Sequence, residues 1–177
     1  MITEEQLSEY FELYDDAVIT IDDDMFSVVG GVKLGRSIEK IPFQFKKVTG
    51  DFDCSESGLT TLEGCPVEVV GNFYCSNNKL LSLEGGPKIV KESYYCSTNP
   101  FTSLKGLPDE CGEVFFCDWR KNLPLLSLLK LSNFYISKNI IVNDIMKKYR
   151  GQKPLRQAII QCQKELIDAG YAENANL

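Results

Sequence analysis

The chain contains no histidine, and this absence excludes a large class of chemistry. Without an imidazole ring there is neither a serine–histidine or cysteine–histidine nucleophile pair nor a histidine metal ligand. No run of apolar residues approaches the roughly 18 residues that a membrane-spanning helix needs. The first residues, MITEEQLSEYFELYDD, lack the basic start and the apolar core of a secretory signal. We therefore expect a cytoplasmic protein with no membrane partner.

Basic residues are absent from the first 25 positions, which hold nine acidic residues. The reverse holds for residues 120–164, which contain ten basic residues and a single acid, Asp144. The net charge of −6 therefore hides two ends of opposite sign. This asymmetry predicts separate surfaces with separate partners.

A disulfide framework is not expected either. The chain has seven cysteines, an odd number that cannot be fully paired, and a cytoplasmic chain keeps its thiols reduced. No two cysteines have the C-x-x-C spacing that is typical of thiolate metal sites.

The middle of the chain instead carries a repeat of 21 residues. The residues two positions before the repeated cysteines are aromatic, and those eight positions after them are leucine. The cysteines are Cys54, Cys75, Cys96 and Cys117, and the aromatic residues are Phe52, Phe73, Tyr94 and Phe115. A degraded earlier copy runs from Val28 to Lys47, with Val32 at the aromatic position and Leu34 at the cysteine position.

A unit of this length is one coil of a solenoid, because a single unit cannot bury its apolar face and must stack on its neighbours. The segment NFYCS alternates apolar and polar residues, which predicts a short strand with Phe73 and Cys75 pointing inward. SNNKL predicts a polar corner, and LEGGP predicts a thin, extended return path. Equivalent strands should form a parallel sheet with a spacing of about 4.8 Å.

The unit resembles a leucine-rich repeat, whose L-x-x-L-x-L-x-x-N/C-x-L pattern maps onto Phe73, Cys75, Asn78 and Leu80. The first apolar position departs from it, because it falls one residue early, at Val69. More narrowly, GNFYCSNNKLLSLEGGP and GDFDCSESGLTTLEGCP resemble the short repeats of tailed-bacteriophage proteins, as do IPFQFKKVTGDF and the ending ELIDAGYAENANL. The resemblance implies a repeat fold and a phage origin, but repeat scaffolds carry unrelated functions.

The predicted fold is α+β, a leucine-rich-repeat-like solenoid with a parallel β-sheet, an N-terminal helical cap and a C-terminal helical cap. Residues 1–27 form an acidic helix and strand cap, in which Thr3 is the expected N-cap and Leu7, Tyr10, Phe11 and Tyr14 have helical spacing. Residues 28–124 form the solenoid, and Arg120 marks its expected end. Residues 125–177 form a basic helical cap, with helices expected at 124–132, 135–150 and 154–169.

The cysteine column has a structural and a chemical interpretation. Small, weakly polar thiols suit the narrow seam between stacked strands, whereas a metal site needs ligands that converge on one point. The sequence therefore predicts core thiols, with no catalytic residue, no metal site and no cofactor.

Strand alternation directs the residues between the inward positions to the outer face of the sheet. This face and the residues that follow it give the candidate partner-binding residues Asp51, Asp53, Asn72, Tyr74, Tyr95, Phe116, Asp118 and Trp119. An exposed row of aromatic side chains is typical of protein-binding hot spots, and the acids could select a basic partner. Two alternatives stay open: a terminal helix covers the row, or the aromatic pairs only stabilise the sheet.

The basic C-terminal region offers a second candidate surface, formed by Lys147, Lys148, Arg150, Lys153 and Arg156. These side chains could contact nucleic-acid phosphates, could be a solvated face, or could complement the acidic half of a neighbouring copy. No aromatic base-stacking set accompanies them.

The sequence thus predicts a protein-binding module and not an enzyme. The phage resemblance implies that it binds and modulates or inhibits a host bacterial protein, such as a defence or regulatory factor, in the host cytoplasm. The alternatives are a nucleic-acid-associated protein and a structural virion protein. The sequence leaves the identity of the partner and the oligomeric state open.

Overall fold

The computed structural model describes residues 9–177, apart from the side chains of Asp15 and Asp16. Successive coils contribute short strands that pair in parallel with their equivalents in the next coil. The strands are β1 (Phe11–Asp22), β2 (Met25–Leu34), β3 (Gln44–Val48), β4 (Phe52–Asp53), β5 (Glu68–Val69), β6 (Phe73–Tyr74), β7 (Ile89–Val90), β8 (Tyr94–Tyr95), β9 (Glu110–Cys111), β10 (Phe115–Asp118) and β11 (Phe134–Ser137). The molecule is a parallel β-solenoid of about five turns with two helices, an α+β fold.

Two ladders of parallel strands run along the solenoid. One contains β4, β6, β8, β10 and β11, and the other contains β3, β5, β7 and β9. The sequence does not predict the second ladder. Its strands have only two paired residues in most coils, and they lie in the part of each coil that is expected to be an extended return path. Strand β2 joins the ladders, since its first half pairs with β3 and its second half with β4.

A buried aromatic column forms the core behind the first ladder. Phe52, Phe73, Tyr94 and Phe115 lie in register across neighbouring strands and have no exposed surface. Cys54, Cys75, Cys96 and Cys117 form the adjoining buried column. Val32 pairs in register with Phe52, which confirms the degraded first copy of the repeat.

The asparagine column stabilises the corners of neighbouring coils. The Asn78 Oδ1 atom accepts hydrogen bonds from the amides of Gly58 (2.8 Å) and Leu59 (2.9 Å). Its Nδ2 atom donates to the carbonyls of Cys54 (2.8 Å) and Cys75 (3.1 Å). One coil later, Asn99 accepts from the Leu80 amide and donates to the carbonyls of Cys75 and Cys96, so both asparagines connect neighbouring coils.

The expected end of the solenoid at Arg120 is wrong. Strand β11 pairs in parallel with β10, placing Phe134 beside Phe115 and Ile136 beside Cys117. The sequence predicts that a helix begins at residue 135. Buried and partly exposed residues instead alternate along β11, which is the pattern of a strand with one face in the core. A 3₁₀ segment, Leu126–Lys130, connects the two strands.

Two helices follow the last strand. Helix α1 (Ile140–Tyr149) begins at Asn139, whose side chain accepts from the Val142 amide, and it packs against β11. Helix α2 (Leu155–Asp168) packs against α1 and the 3₁₀ segment. The helix predicted at 154–169 is therefore confirmed, and the one predicted at 135–150 is confirmed over residues 140–149. The helix predicted at 124–132 is a short 3₁₀ segment. Within residues 9–177, no helix is long and apolar enough to cross a membrane.

The predicted N-terminal helix is wrong where the structure describes it. Residues 11–22 form a strand, β1, that pairs antiparallel with β2. The ring of Phe11 packs edge-on against Phe43 and Phe45 in the core. Pairing of β1 with β2 brings Phe11 to this position. The expected Thr3 cap and Leu7 lie outside the described residues. The turn between β1 and β2 is acidic, and its residues Asp23 and Asp24 have positive φ angles of 48° and 60°.

Candidate functional site

Four aromatic side chains form a continuous stack on the outer face of the first ladder, and we call them the aromatic ladder: Tyr74, Tyr95, Phe116 and Tyr135. The rings of Tyr74 and Tyr95 are 4.9 Å apart and nearly parallel, at 5°. Phe116 lies 5.8 Å from Tyr95, and Tyr135 lies 4.7 Å from Phe116. All four side chains remain partly exposed. In residues 9–177 the predicted stripe is thus not fully covered by a helix.

Tyr135, the last member of the aromatic ladder, is not among the residues predicted from the sequence. Tyr135 belongs to β11, which lies beyond the expected end of the solenoid. The segment NFYIS at residues 133–137 differs from NFYCS at residues 72–76 only in the exchange of cysteine for isoleucine. That likeness was the available signal.

Carboxylates flank the Tyr74 end of the aromatic ladder. Asn72 holds two of them, because its Nδ2 atom donates to Asp51 (3.2 Å) and to Glu92 (2.6 Å). Asp53 precedes Tyr74 in the same column of the sheet. The predicted residues Asp51, Asp53 and Asn72 are therefore brought together, and Glu92 joins them as a residue that was not predicted.

These acids contrast with the paired acids elsewhere on the molecule. Nine ion pairs form in the described part of the chain, and none involves Asp51, Asp53 or Glu92. Lys33 is the register partner of Asp53 on β2, but its ammonium group is outside ion-pair distance. These carboxylates therefore form no ion pair within residues 9–177, and Lys33 is the cationic residue nearest to them in the sheet register.

The electrostatic effect of these acids is visible at Tyr74. Burial raises the pKa of Tyr74 above its ordinary value, and the charges of Asp51, Asp53 and Glu92, together with Tyr95, raise this pKa further. A negative surround disfavours the phenolate and favours a cation at the same place. The Tyr74 hydroxyl therefore stays protonated at neutral pH.

The opposite end of the aromatic ladder is basic. The Lys147 Nζ atom, on helix α1, lies 5.2 Å from the centre of the Tyr135 ring. Arg150 donates a hydrogen bond to the Asn133 side chain, immediately before β11. Two of the five predicted basic residues thus belong to the same face as the aromatic ladder. Lys148 is instead paired with Glu165, and Lys153 and Arg156 lie exposed near the start of α2.

Two predicted partner-binding residues serve the fold instead. Asp118 is buried and accepts hydrogen bonds from Ser137, Lys138 and the Thr98 amide. Its acceptor capacity is used within the chain because β11, which was not anticipated, brings Ser137 and Lys138 beside it.

Trp119 does not join the aromatic ladder either. Its Nε1 atom donates to Asn174 (3.1 Å), and its ring packs edge-on against Tyr171. The C-terminal segment therefore engages this side chain, although the sequence suggested that it faced a partner.

The cysteines are core residues, as the sequence predicted. All seven are buried free thiols. Burial raises the pKa of Cys117 to about 12 and of Cys111 to about 11. Such thiols carry almost no thiolate at neutral pH and are poor nucleophiles. In the described chain no three histidine, cysteine or acidic residues are grouped to hold a metal ion.

The fold and this face define the chain as a parallel β-solenoid with a charge-polarised aromatic surface. Comparison with protein-family models, with curated proteins and with solved structures finds no match to the chain.

Proposed function

We propose that this protein is a non-enzymatic binding module that recognises another protein through the aromatic ladder. The observation that carries the proposal is that four stacked aromatic side chains remain partly exposed on one sheet face. Aromatic residues dominate the energetics of protein–protein interfaces, because they bury a large area at a low cost in side-chain entropy. Stacking in the free protein lowers that cost further, since the rings are already ordered.

The surroundings of the aromatic ladder support recognition over simple sheet stabilisation. Stacked pairs within a sheet stabilise it without any need for flanking charge. Here Asp51 and Glu92 are fixed by Asn72 without a basic partner in the described residues. Uncompensated charges that border an exposed aromatic patch are typical of a surface that selects its partner electrostatically.

We infer further that the solenoid is of the leucine-rich-repeat type and that α1 and α2 act as its C-terminal cap. The hydrogen bonds of Asn78 and Asn99 to the backbone of the neighbouring coil support the first inference. The packing of α1 against β11 supports the second, since terminal coils of a solenoid need a cover for their apolar face.

The repeat resemblance supplies the biological setting of the proposal. We place the protein in the cytoplasm of an infected bacterium, as a phage product that binds and inhibits or modulates a host defence or regulatory protein. A virion component would use the same face for assembly. Nucleic-acid binding is not proposed, because Lys147, Lys148 and Arg150 are each engaged by groups of the same chain.

Affinity capture from bacterial lysate with two parallel baits tests the proposal. Wild-type protein should retain one specific protein, and the double variant Tyr74→Ala/Tyr95→Ala should lose it. The matched control is Leu81→Ala/Val67→Ala, which removes two exposed apolar side chains away from the aromatic ladder and should retain the partner. Circular dichroism should show that all baits are folded.

Two results would contradict the proposal. One is the recovery of the same specific protein by the Tyr74→Ala/Tyr95→Ala bait. The other is the recovery of nucleic acid in place of protein, with retention that falls steeply as salt rises and is lost in Lys153→Glu/Arg156→Glu.

A further inference from the structure

The two ends of the aromatic ladder differ in how their outer ring faces are occupied. At one end the Lys147 ammonium group lies over Tyr135. At the other end the residue next to Tyr74 in the column is Asp53, and Lys33 follows one strand further away. A stacked aromatic series presents a negative π-face at each end, and such a face attracts a cation. One end of the stack is therefore served by the chain's own lysine.

We propose that the Tyr74 end of the aromatic ladder binds a lysine or arginine side chain from an extended basic segment of the partner protein. The inference rests on the proposed function, because it uses the same face and names the chemistry of the partner. The cation would lie against the Tyr74 ring, within reach of the Asp51, Asp53 and Glu92 carboxylates.

The carboxylates at this end are held in place before any partner arrives. The Asn72 amide group donates to Asp51 and Glu92, so both acids are fixed on the same side of Tyr74. The Asp51 Oδ1 atom also accepts from the Asn72 backbone amide at 2.7 Å. The Ser55 amide donates to Asp53 at 2.9 Å. Ordered acceptors bind a cation with less loss of conformational entropy than mobile ones.

Asp51 occupies its place because the neighbouring coil leaves room for it. A Cβ atom at Gly71 would approach Asp51 Oδ1 to 2.4 Å and the Gly50 backbone to 2.7 Å, so a side chain at position 71 would displace both. The glycine therefore keeps the acid against the sheet face. This is a positioning role for a residue that does not touch the partner.

The width of the surface favours a segment over a folded domain. The aromatic ladder is one side chain wide, with a row of carboxylates along one side, whereas interfaces between folded proteins take about 800 Å² from each partner. An extended chain that lies across the strands would direct every second side chain toward the aromatic ladder. The charge order along the ladder then orients it, with its basic end at Tyr74 and away from Lys147.

Fluorescence anisotropy with a labelled octa-arginine peptide tests the proposal directly, with octa-glutamate as the probe of opposite charge. Asp53→Asn/Glu92→Gln should weaken octa-arginine binding about tenfold or more, which corresponds to about 1.4 kcal/mol. Both substitutions keep the hydrogen-bond acceptors that Ser55 and Asn72 use. Tyr74→Leu, which removes the π-face but keeps an apolar side chain, should also weaken binding.

The matched control is Glu39→Gln/Asp109→Asn, which makes the same charge change at exposed sites that form no ion pair in the described chain. It should bind octa-arginine as the wild type does. Lys147→Gln should strengthen binding modestly, since it removes a repelling charge from the same face.

Equal weakening by the control and by Asp53→Asn/Glu92→Gln would overturn the proposal, because binding would then reflect only the net charge of −6. Absence of octa-arginine binding would overturn the proposal as well. Self-association that Asp53→Asn/Glu92→Gln abolishes would also overturn it, because the occupant would then be a second copy of this chain. If wild-type protein still captures a partner that Tyr74→Ala/Tyr95→Ala loses, the proposed function stands while the cation site fails.

Discussion

The rings of Phe73 and Tyr94 lie 4.8 Å apart in the buried aromatic column, but only Tyr94 brings a hydroxyl group into the core. That hydroxyl has no hydrogen-bond partner within residues 9–177. Burial raises the pKa of Tyr94 well above its ordinary value, so the group stays neutral. A buried polar group without a partner costs about 1–3 kcal/mol. The Tyr94 hydroxyl therefore weakens its coil.

Replacing Tyr94 by phenylalanine should leave the free energy of unfolding unchanged or raise it by about 1 kcal/mol. The reciprocal change Phe73→Tyr should lower it by about 1–3 kcal/mol, because it buries a second unpartnered hydroxyl. Urea denaturation of both variants checks the pair. A loss of stability in Tyr94→Phe would show that the hydroxyl is satisfied by a group such as a buried water molecule.

Asn78 should be the most sensitive polar residue in the solenoid. Asn78→Ala removes hydrogen bonds to two amides and two carbonyls and leaves these buried groups unpaired, so we expect a loss of about 2–4 kcal/mol. Lys79→Ala, at the next and exposed position, should change stability by less than about 0.5 kcal/mol. Similar denaturation midpoints for the two variants would refute the structural role of Asn78.

The corner that follows Cys96 has a backbone strain that a substitution can remove. Thr98 has a φ angle of 57°, in the left-handed region that a β-branched residue tolerates poorly, whereas the equivalent position one coil earlier is Asn77 with φ 59°. Thr98→Asn should therefore raise the free energy of unfolding by about 0.5–1 kcal/mol. Thermal melting measures the gain. An unchanged or lower melting temperature would show that the threonine side chain contributes a compensating contact.

Asp118 should make stability depend on pH in the acidic range. Burial alone would raise its pKa, but hydrogen bonds from Lys138, Ser137 and the Thr98 amide outweigh burial and lower it. Because the folded pKa lies below the unfolded value of about 3.9, the stabilisation is present above that pH and is lost as pH falls through the folded pKa. The urea concentration at the unfolding midpoint should therefore fall as the pH is lowered from neutral to strongly acidic.

Asp118→Asn is the variant that isolates this contribution. It should be less stable than the wild type at neutral pH, and the difference should shrink as the pH falls below about 4, where the wild-type carboxylate becomes protonated. A difference that stays constant with pH would mean that the substitution acts through packing and not through the charge.

The seven thiols should react only when the chain unfolds. All seven thiols are buried, and burial raises the pKa of Cys117 and of Cys162 to about 12. Little thiolate is therefore present to attack a disulfide reagent. We expect slow labelling by Ellman's reagent in native buffer and seven rapid equivalents in guanidinium. Rapid native labelling of a single thiol would reveal a local opening of its coil.

Much of the solenoid was predictable because its repeat has a fixed length. Strand alternation correctly separated the inward Cys75 from the outward Tyr74, and the period placed Tyr95 and Phe116 beside it. The last coil was not predictable by the same rule, because only 19 residues separate Phe115 from its register partner Phe134. Isoleucine also replaces the marker cysteine there.

The N-terminal error has a different physical origin. Tyr10, Phe11 and Tyr14 fit one face of a helix, and local spacing gives no information about a partner strand. Pairing with β2 decides the outcome, since β1 gains a long antiparallel register from Phe11–Leu34 to Asp22–Met25. Likewise, the contacts of Asp118 and Trp119 within the chain depend on the positions of β11 and the C-terminal segment. No short sequence pattern reveals these positions.

The side chain of Asn143, on helix α1, accepts a hydrogen bond from the backbone amide of Ile136 at 3.0 Å. That amide lies on the edge of β11 away from β10. A parallel sheet built from near-identical coils is otherwise a template for endless growth, since each new strand finds the same register. The Asn143 side chain occupies this donor, and helix α1 packs beside it, where a further strand would have to pair. At this edge the chain therefore satisfies with a side chain a donor that an inner strand satisfies with the next coil, as Cys75 does by donating to the Tyr95 carbonyl.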